Sequence, residues 1–234
     1  MPITPLLHAQ DRTEVSGEHT SRRTIVNGVT TMVLLAVLFC ALTALVARSS
    51  APPAVDADAS RWIIDHRNGG LTVVAKTLAV LGGTASMTVL TAIACVWSAW
   101  RRQWDAAVLV AMTGLGALVL VLVGKHLVAR DRPPMAGRLS DETSYAYPSG
   151  HTAGSFVVIG IVMIVALPYL RGIVRRVLPI AAAVLVAAVG LSRIYLGAHW
   201  PTDILAGWLL GALWLMVCLT TFEYVSAVVA RRGS

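Results

Sequence analysis

Six long stretches of this chain contain no Asp, Glu, Lys or Arg, and most of their residues are apolar. A helix needs roughly 20 mostly apolar residues to cross the hydrocarbon core of a bilayer. Five of the stretches are near that length or above it, and the fifth in chain order is slightly shorter. They comprise 24–47, 77–100, 106–124, 152–170, 177–192 and 204–222. The pattern predicts an all-α polytopic membrane protein with about six transmembrane helices.

The segments between these stretches predict the layout of the chain. Residues 1–23 are expected to be a cytoplasmic tail, 24–226 one transmembrane domain and 227–234 a second cytoplasmic tail. The transmembrane spans are predicted at about 25–47, 84–100, 105–127, 151–170, 174–193 and 203–225.

Two further elements are predicted between the first and second spans. A short surface helix is expected over 60–67, with Ser60 as its N-cap and Gly69-Gly70 at its end. The stretch that follows, 71–100, is too long for one ordinary span and is interrupted at Gly82-Gly83. It therefore predicts an outer, partly embedded helix over 71–81 before the second span.

Charged residues make up only 13% of the chain, against about 25% in soluble domains. This share excludes a soluble enzyme, a disordered protein and a secreted disulfide scaffold. The net charge of +7 is explained by arginine clusters that all become cytoplasmic when both termini are inside. The clusters are Arg22-Arg23, Arg101-Arg102, Arg171 with Arg175-Arg176, and Arg231-Arg232. Nucleic-acid binding is therefore not needed, and the loops 128–150 and 194–202 are predicted to face outward from the plasma membrane.

The first candidate site is a pair of cations around the end of the third span. Lys125 and Arg132 are seven residues apart, about two helical turns, which would place them on one helix face. A single lysine at this depth is typical of a snorkelling anchor. Two cations directed at one point suit a phosphate, which Arg binds in a bidentate manner and Lys as a point charge.

The second candidate is the sequence Pro148-Ser149-Gly150-His151 before the fourth span. The turn that it predicts opens a helix, and helix N-terminal N–H groups together with the Ser149 hydroxyl form an anion site. His151 would follow at the position of a proton donor. By itself the tetrapeptide is a weak signal and is more typical of a plain helix start.

The third candidate joins Arg193, His199 and Asp203. Arg193 adds a cation at the end of the fifth span, and His199 and Asp203 lie four residues apart. They share a helix face if the turn around Pro201 is helical. An aspartate bonded to one imidazole nitrogen fixes the tautomer and makes the other nitrogen nucleophilic. An isolated His–Asp pair is also common as a purely structural feature.

Together the motifs K-x6-RP, PSGH and SR-x5-H-x3-D resemble those of the type 2 phosphatidic acid phosphatase (PAP2) superfamily, which also includes vanadium haloperoxidases. Every fixed position of the three motifs is present between Lys125 and Asp203. The resemblance implies a PAP2/haloperoxidase-like helical core. It also implies that His199 is a nucleophile that forms a phosphohistidine, that Asp203 orients it, and that His151 protonates the leaving oxygen.

The same resemblance implies a phosphate site and a substrate class. The phosphate oxygens would be held by Lys125, Arg132, Ser149, Gly150 and Arg193. Neither a metal nor a cofactor is expected. A site at the outer membrane face favours a lipid phosphate or diphosphate, with polyprenyl diphosphate, phosphatidate and phosphatidylglycerol phosphate all open. The alternatives are a lipid phosphotransferase and a non-catalytic lipid-phosphate-binding membrane protein, and the sequence leaves the oligomeric state open.

Overall fold

The computed structural model describes residues 28–49 and 51–233, and in those ranges the chain forms eight α-helices and no strand. The predicted tail 1–23 lies outside the described residues. The helices, numbered in chain order, are α1 Gly28–Arg48, α2 Ala54–Asp65, α3 Gly69–Leu81, α4 Thr84–Trp100, α5 Trp104–Val128, α6 Gly150–Ala166, α7 Val174–Tyr195 and α8 Pro201–Gly233. The last helix continues beyond residue 226, where the transmembrane domain was predicted to end.

Five of the described helices are individually long and apolar enough to cross a membrane: α1, α5, α6 with its 3-10 extension Leu167–Tyr169, α7 and α8. The pair α3 and α4, which is bent by 46° at its break, has the length and composition of a sixth span if the two helices cross the membrane together. The break lies at Gly82-Gly83, as predicted. A Cβ on Gly82 would lie 2.3 Å from Cγ1 of Val189, so only glycine allows α7 to pack this closely against the bend.

The segment before the bend differs from its prediction. Helix α2, which corresponds to the predicted surface helix, begins at Ala54, directly after Pro53, instead of at residue 60. Ser60 consequently lies in the middle of α2 and is buried, so it is not an N-cap. Gly69-Gly70 does not end a helix but begins α3, because the Asn68 side chain accepts the Leu71 N–H at 2.9 Å and caps the new helix.

Helix α6 lies at the centre of the bundle and contacts α4, α5, α7 and α8. Small residues let α8 approach it closely: a Cβ on Gly207 would lie 2.9 Å from the Ser149 carbonyl oxygen. One apolar cluster, built on Ala94, Val110, Ile161 and Leu215, fills the space between these helices. Many large apolar side chains on the outside of the bundle remain exposed, as expected for a surface that faces lipid.

The loops divide between the two ends of the bundle. At one end Tyr169, after α6, packs edge-on against Trp97 of α4 and bonds to Gln103 before α5. At the other end the long connection 129–149 meets the turn between α7 and α8, where the Leu139 N–H donates to the Leu196 carbonyl at 2.8 Å. The two loops that carry the motifs are therefore on one side of the bundle.

Candidate active site

Lys125 and Arg132 converge on one point, but they do not share a helix face. Helix α5 ends at Val128, and Ala129 turns the chain through the left-handed region with a φ of 48°. Arg132 therefore lies in the loop and returns toward Lys125. The Ser144 hydroxyl is 3.1 Å from both Lys125 Nζ and Arg132 Nη2, and the Tyr145 carbonyl also accepts from both cations.

The PSGH segment forms the start of α6, as the sequence predicts. Ser149 is the N-cap and is fully buried, and its hydroxyl oxygen accepts from Thr152 Oγ1 at 2.9 Å. Its backbone N–H donates to the Asp203 carbonyl at 3.1 Å, which ties the start of α6 to the start of α8. Gly150 and His151 open the first turn, where backbone N–H groups have no partner within the helix.

His199 lies in the turn before α8 and is 1% exposed. Its Nδ1 is 3.4 Å from Asp203 Oδ2, a long contact, and that oxygen also accepts the Trp200 N–H at 2.9 Å. Arg132 Nη1 is 3.3 Å from His199 Nε2. Because a guanidinium has no lone pair to offer, this contact requires Nε2 to be the unprotonated nitrogen and Nδ1 to carry the proton. Burial lowers the pKa of His199 to about 4, although Asp203 partly offsets it.

Glu142 is a member of the cluster that none of the motifs contains. Its Oε2 lies 3.3 Å from Arg132 Nη2, and its Oε1 accepts from Arg193 Nη2. Burial opposes its ionisation, but the neighbouring cations, with Arg193 foremost, outweigh that effect and hold the pKa of Glu142 below its usual value. The only sequence signal was an acidic residue in the loop between two cationic motifs.

Arg130 and Asp56 are two further members of the polar cluster, and neither is a fixed position of the three motifs. Arg130 lies between Asp203 Oδ1, at 2.5 Å from Nη1, and Asp56 Oδ2, at 2.7 Å from Nη2. Asp56 comes from α2 and is fully buried. Helix α2 is thereby connected to the aspartate that faces His199.

A cavity of about 540 Å³ connects this polar cluster to the apolar interior of the bundle. Its polar end is formed by side chains of Lys125, Arg132, Glu142, His151 and His199. Its other walls are mostly apolar and come from α4, α5 and α6, with Met87, Leu115, Leu118, Leu122 and Val158 among them. The cavity therefore offers a charged end and an apolar body, which is a shape suited to an amphipathic ligand.

Comparison with known proteins agrees with this architecture. The sequence profile described as the PAP2 superfamily matches residues 104–227, slightly more than half of the chain. The chain belongs to the PAP2 superfamily. Phosphatidylglycerophosphatase B from Bacillus subtilis (strain 168) is 36% identical over 117 residues, which are 49% of this chain and 56% of that protein.

A second relative in the PAP2 comparison is the undecaprenyl-diphosphatase of Sulfolobus acidocaldarius. It is 37% identical over 105 residues, which are 41% of this chain and 45% of that protein. The chain spans about half the length of the curated relatives that it matches.

Two solved structures have the same PAP2 arrangement of helices. The first is the crystal structure of a transmembrane PAP2 type phosphatidylglycerolphosphate phosphatase from Bacillus subtilis, with a TM-score of 0.75 and 27% identity, covering 83% of this chain and 97% of the other. The second is Aquifex aeolicus LpxE, with a TM-score of 0.57 and 20% identity, covering 72% and 96%; it supports the fold alone. With at least five helices that are long and apolar enough to cross a membrane, this PAP2 chain is a multi-pass membrane protein.

All eight predicted PAP2 site residues lie at one end of the bundle, in two groups. Lys125, Arg132, Gly150, His151 and His199 line the cavity. Ser149, Arg193 and Asp203 are buried beside these residues, and each bonds to the groups that form or support the cavity. In the part of the chain that the structure describes, no group of three His, Cys, Asp or Glu side chains is arranged to hold a metal ion.

Proposed function

We propose that this PAP2 protein is an integral membrane phosphatase that hydrolyses the phosphate or diphosphate ester of a lipid through a phosphohistidine on His199. The observation that carries the proposal is the orientation of His199. Its unprotonated Nε2 points toward Arg132 at the charged end of a cavity whose body is apolar. That arrangement combines a nucleophile, a phosphate-binding cation and space for a hydrocarbon chain.

The first chemical step follows from these positions. His199 Nε2 attacks the terminal phosphorus, an N–P bond forms, and the bond from that phosphorus to the departing oxygen breaks. The departing oxygen belongs to the lipid hydroxyl for a phosphate ester and to the lipid monophosphate for a diphosphate ester. His151, on the cavity wall where the lipid lies, gives its proton to the departing oxygen. Asp203 Oδ2, 3.4 Å from Nδ1, stabilises the positive charge that the imidazole ring gains.

The second step releases phosphate. His151, now neutral, accepts a proton from water, and the hydroxide equivalent attacks phosphorus while the N–P bond breaks. His199 returns to its neutral form, and inorganic phosphate departs. Lys125, Arg132 and Arg193 stabilise the negative charge on the phosphoryl oxygens in both steps, with Ser149 and the Gly150 N–H as further donors.

Binding of the substrate phosphate requires Glu142 to release its contacts with the two arginines. The carboxylate contacts Arg132 and Arg193, which are two of the three cations assigned to the phosphate. A dianionic phosphate offers more acceptor oxygens and more charge than a carboxylate, so it replaces Glu142 on both guanidinium groups.

The lipid class and the location are part of the same proposal. The relatives are named for phosphatidylglycerophosphate and undecaprenyl diphosphate, so both kinds of lipid are candidates here. The placement of the arginine clusters supports cytoplasmic termini and a site on the outer face of the plasma membrane.

The decisive experiment measures phosphate release by the purified full-length protein in detergent with a chelator present. The panel contains a polyprenyl diphosphate, a phosphatidate and a phosphatidylglycerol phosphate. We expect release from at least one lipid, loss of at least a thousand-fold in kcat for His199→Gln, and acid-labile trapping of labelled phosphate on the wild-type protein only.

Two outcomes would replace the proposal. Transfer of the phosphate to a second lipid in place of water would identify a phosphotransferase. Specific binding of a lipid phosphate without any release would identify a non-catalytic binding protein.

A further inference from the structure

Asp56, in the first turn of α2, is a buried carboxylate with three donors on its two oxygens. Its Oδ1 accepts the Thr202 backbone N–H at 3.0 Å. Its Oδ2 accepts the Thr202 hydroxyl at 2.6 Å and Arg130 Nη2 at 2.7 Å. Because Thr202 lies in the first turn of α8, Asp56 caps that turn from a different helix.

Arg130 joins this carboxylate to Asp203. Its Nη1 donates to Asp203 Oδ1 at 2.5 Å and to the Thr202 hydroxyl at 2.7 Å, and its guanidinium carbon lies 5.8 Å from the centre of a Trp200 ring. A guanidinium is planar, with donors in a fixed fork, so it sets the relative position of the two carboxylates. With Oδ1 bound to Arg130, the other oxygen of Asp203 faces His199 Nδ1.

We propose that Asp56 and Arg130 are positioning residues that orient the Asp203 carboxylate toward His199, which makes helix α2 part of the catalytic unit. This inference rests on the function proposed above. Neither side chain lines the 540 Å³ cavity, so both act through Asp203 and not on the substrate.

The charges in this cluster explain why each residue is needed. One guanidinium is shared between two carboxylates that are fully buried from solvent. Its positive charge therefore balances the negative charge of both where water cannot. Loss of charge at Asp56 releases one arm of the fork and lets Arg130 rotate about Asp203. Loss of Arg130 leaves two buried carboxylates without a cation to balance their charge. Either change turns Asp203 Oδ2 away from His199.

The test compares Asp56→Asn and Arg130→Lys with a matched control on the same helix, Asp58→Asn. Asp56→Asn preserves shape and removes charge, and Arg130→Lys preserves charge and removes the fork. Asp58 is exposed and pairs only with Arg61 among the described residues, so its variant should behave as wild type. Thermal unfolding of each full-length protein in detergent reports whether it is folded.

The first measurement is the tautomer of His199, followed by ¹⁵N NMR of histidine-labelled protein. The chain has six histidines, and the His199 signals are those missing from His199→Gln. We expect a protonated Nδ1 in the wild type and in Asp58→Asn, and a mixture of tautomers in Asp56→Asn and Arg130→Lys. A histidine with the wild-type tautomer in a folded Asp56→Asn protein overturns the inference.

The second measurement separates kcat from KM. We expect kcat to fall about ten- to a hundred-fold in Asp56→Asn, as is common for groups that orient a reacting ligand, with KM changed less than three-fold. In an Asp203→Asn background, Asp56→Asn should lower kcat by less than three-fold, because Asp56 acts through the Asp203 carboxylate, which that background lacks. Equal losses in the two backgrounds contradict the inference.

A further variant covers the case in which Asp56→Asn does not fold. Thr202→Ala removes one hydroxyl from the cluster without changing any charge, and the same tautomer shift with a smaller fall in kcat is expected. An unchanged tautomer and kcat there overturn the inference. If the wild type releases no phosphate from any lipid, the proposed function fails, whereas the NMR measurement still tests the positioning of His199.

Discussion

Glu142 occupies the position that the proposed mechanism gives to the substrate phosphate. Its two oxygens contact Arg132 and Arg193, and the neighbouring cations keep it ionised. A carboxylate in this place resembles a phosphate in charge and in the direction of its acceptors. At the scale of single residues, the site is therefore one in which an internal anion and an external anion compete.

The substitution Glu142→Gln should strengthen the binding of inorganic phosphate, the product. The internal competitor loses its charge, while Arg132 and Arg193 keep theirs. We expect the inhibition constant for phosphate to fall by about ten-fold, which corresponds to roughly 1.4 kcal/mol. The measurement is product inhibition of lipid hydrolysis, with Asp141→Asn, an exposed neighbour, as the control. An unchanged inhibition constant would contradict the competition.

The lowered pKa of His199 predicts a specific dependence of stability on pH. Because burial holds the pKa near 4 in the folded protein, against an ordinary 6.5, the folded state binds fewer protons between these values than the unfolded state. The contribution of neutral His199 to stability is thus complete above about pH 6.5 and is lost as the pH falls toward 4. Thermal unfolding temperatures in detergent should fall more steeply over this window for the wild type than for His199→Gln. If the unfolding temperatures of the two proteins fell in parallel with pH, the lowered pKa of His199 would be contradicted.

Individual helices were predictable from the sequence where one local signal dominated. The bend at Gly82-Gly83 and the start of α6 within Pro148-Ser149-Gly150-His151 are both in the predicted places. The start of α2 was missed because Pro53 begins the helix earlier than the Ser60 signal indicated. Similarly, the side-chain cap from Asn68 turned a predicted helix end into a helix start.

The close contact at the bend can be tested by adding one methyl group. In Gly82→Ala the new Cβ would lie 2.3 Å from Val189, which is fully buried, so α7 must shift. We expect a loss of about 1–3 kcal/mol in stability, typical of overpacking, measured by thermal or denaturant unfolding in detergent. The second substitution Val189→Ala should restore most of the lost stability.

Gly69→Ala provides the control for this pair, because a Cβ there meets nothing within 4 Å. If Gly82→Ala and Gly69→Ala unfold alike, the helices at the bend are not held by this contact.

At the scale of the whole molecule, the order of spans and loops was predictable and the pairing of distant polar residues was not. Charge-free stretches and arginine clusters were enough to place two loops on one side, and the bond from Arg132 to the Ala198 carbonyl confirms that they meet. Arg130 and Asp56, in contrast, are 74 positions apart. Their contact depends on how α2 folds back onto α8, which no local pattern encodes.

Membrane orientation is the prediction that belongs to this scale. In a variant without the three native cysteines, a cysteine at Asp141 should react with a membrane-impermeant maleimide in intact cells. A cysteine at Arg102, at the opposite end of the bundle, should react only after permeabilisation. Reversed labelling would place the site on the cytoplasmic face and contradict the positive-inside argument.

The internal carboxylate at the phosphate site also bears on selectivity against ambient salts. A tethered Glu142 is present at a high effective concentration, so a small free anion such as sulfate must outcompete it using charge alone. A lipid phosphate has an additional advantage, because its chain fits the apolar cavity and keeps the headgroup at a high local concentration beside the carboxylate. Mineral anions would then be excluded by competition with the Glu142 carboxylate and not by their size. The phosphate site would remain available to a scarce lipid in a saline environment.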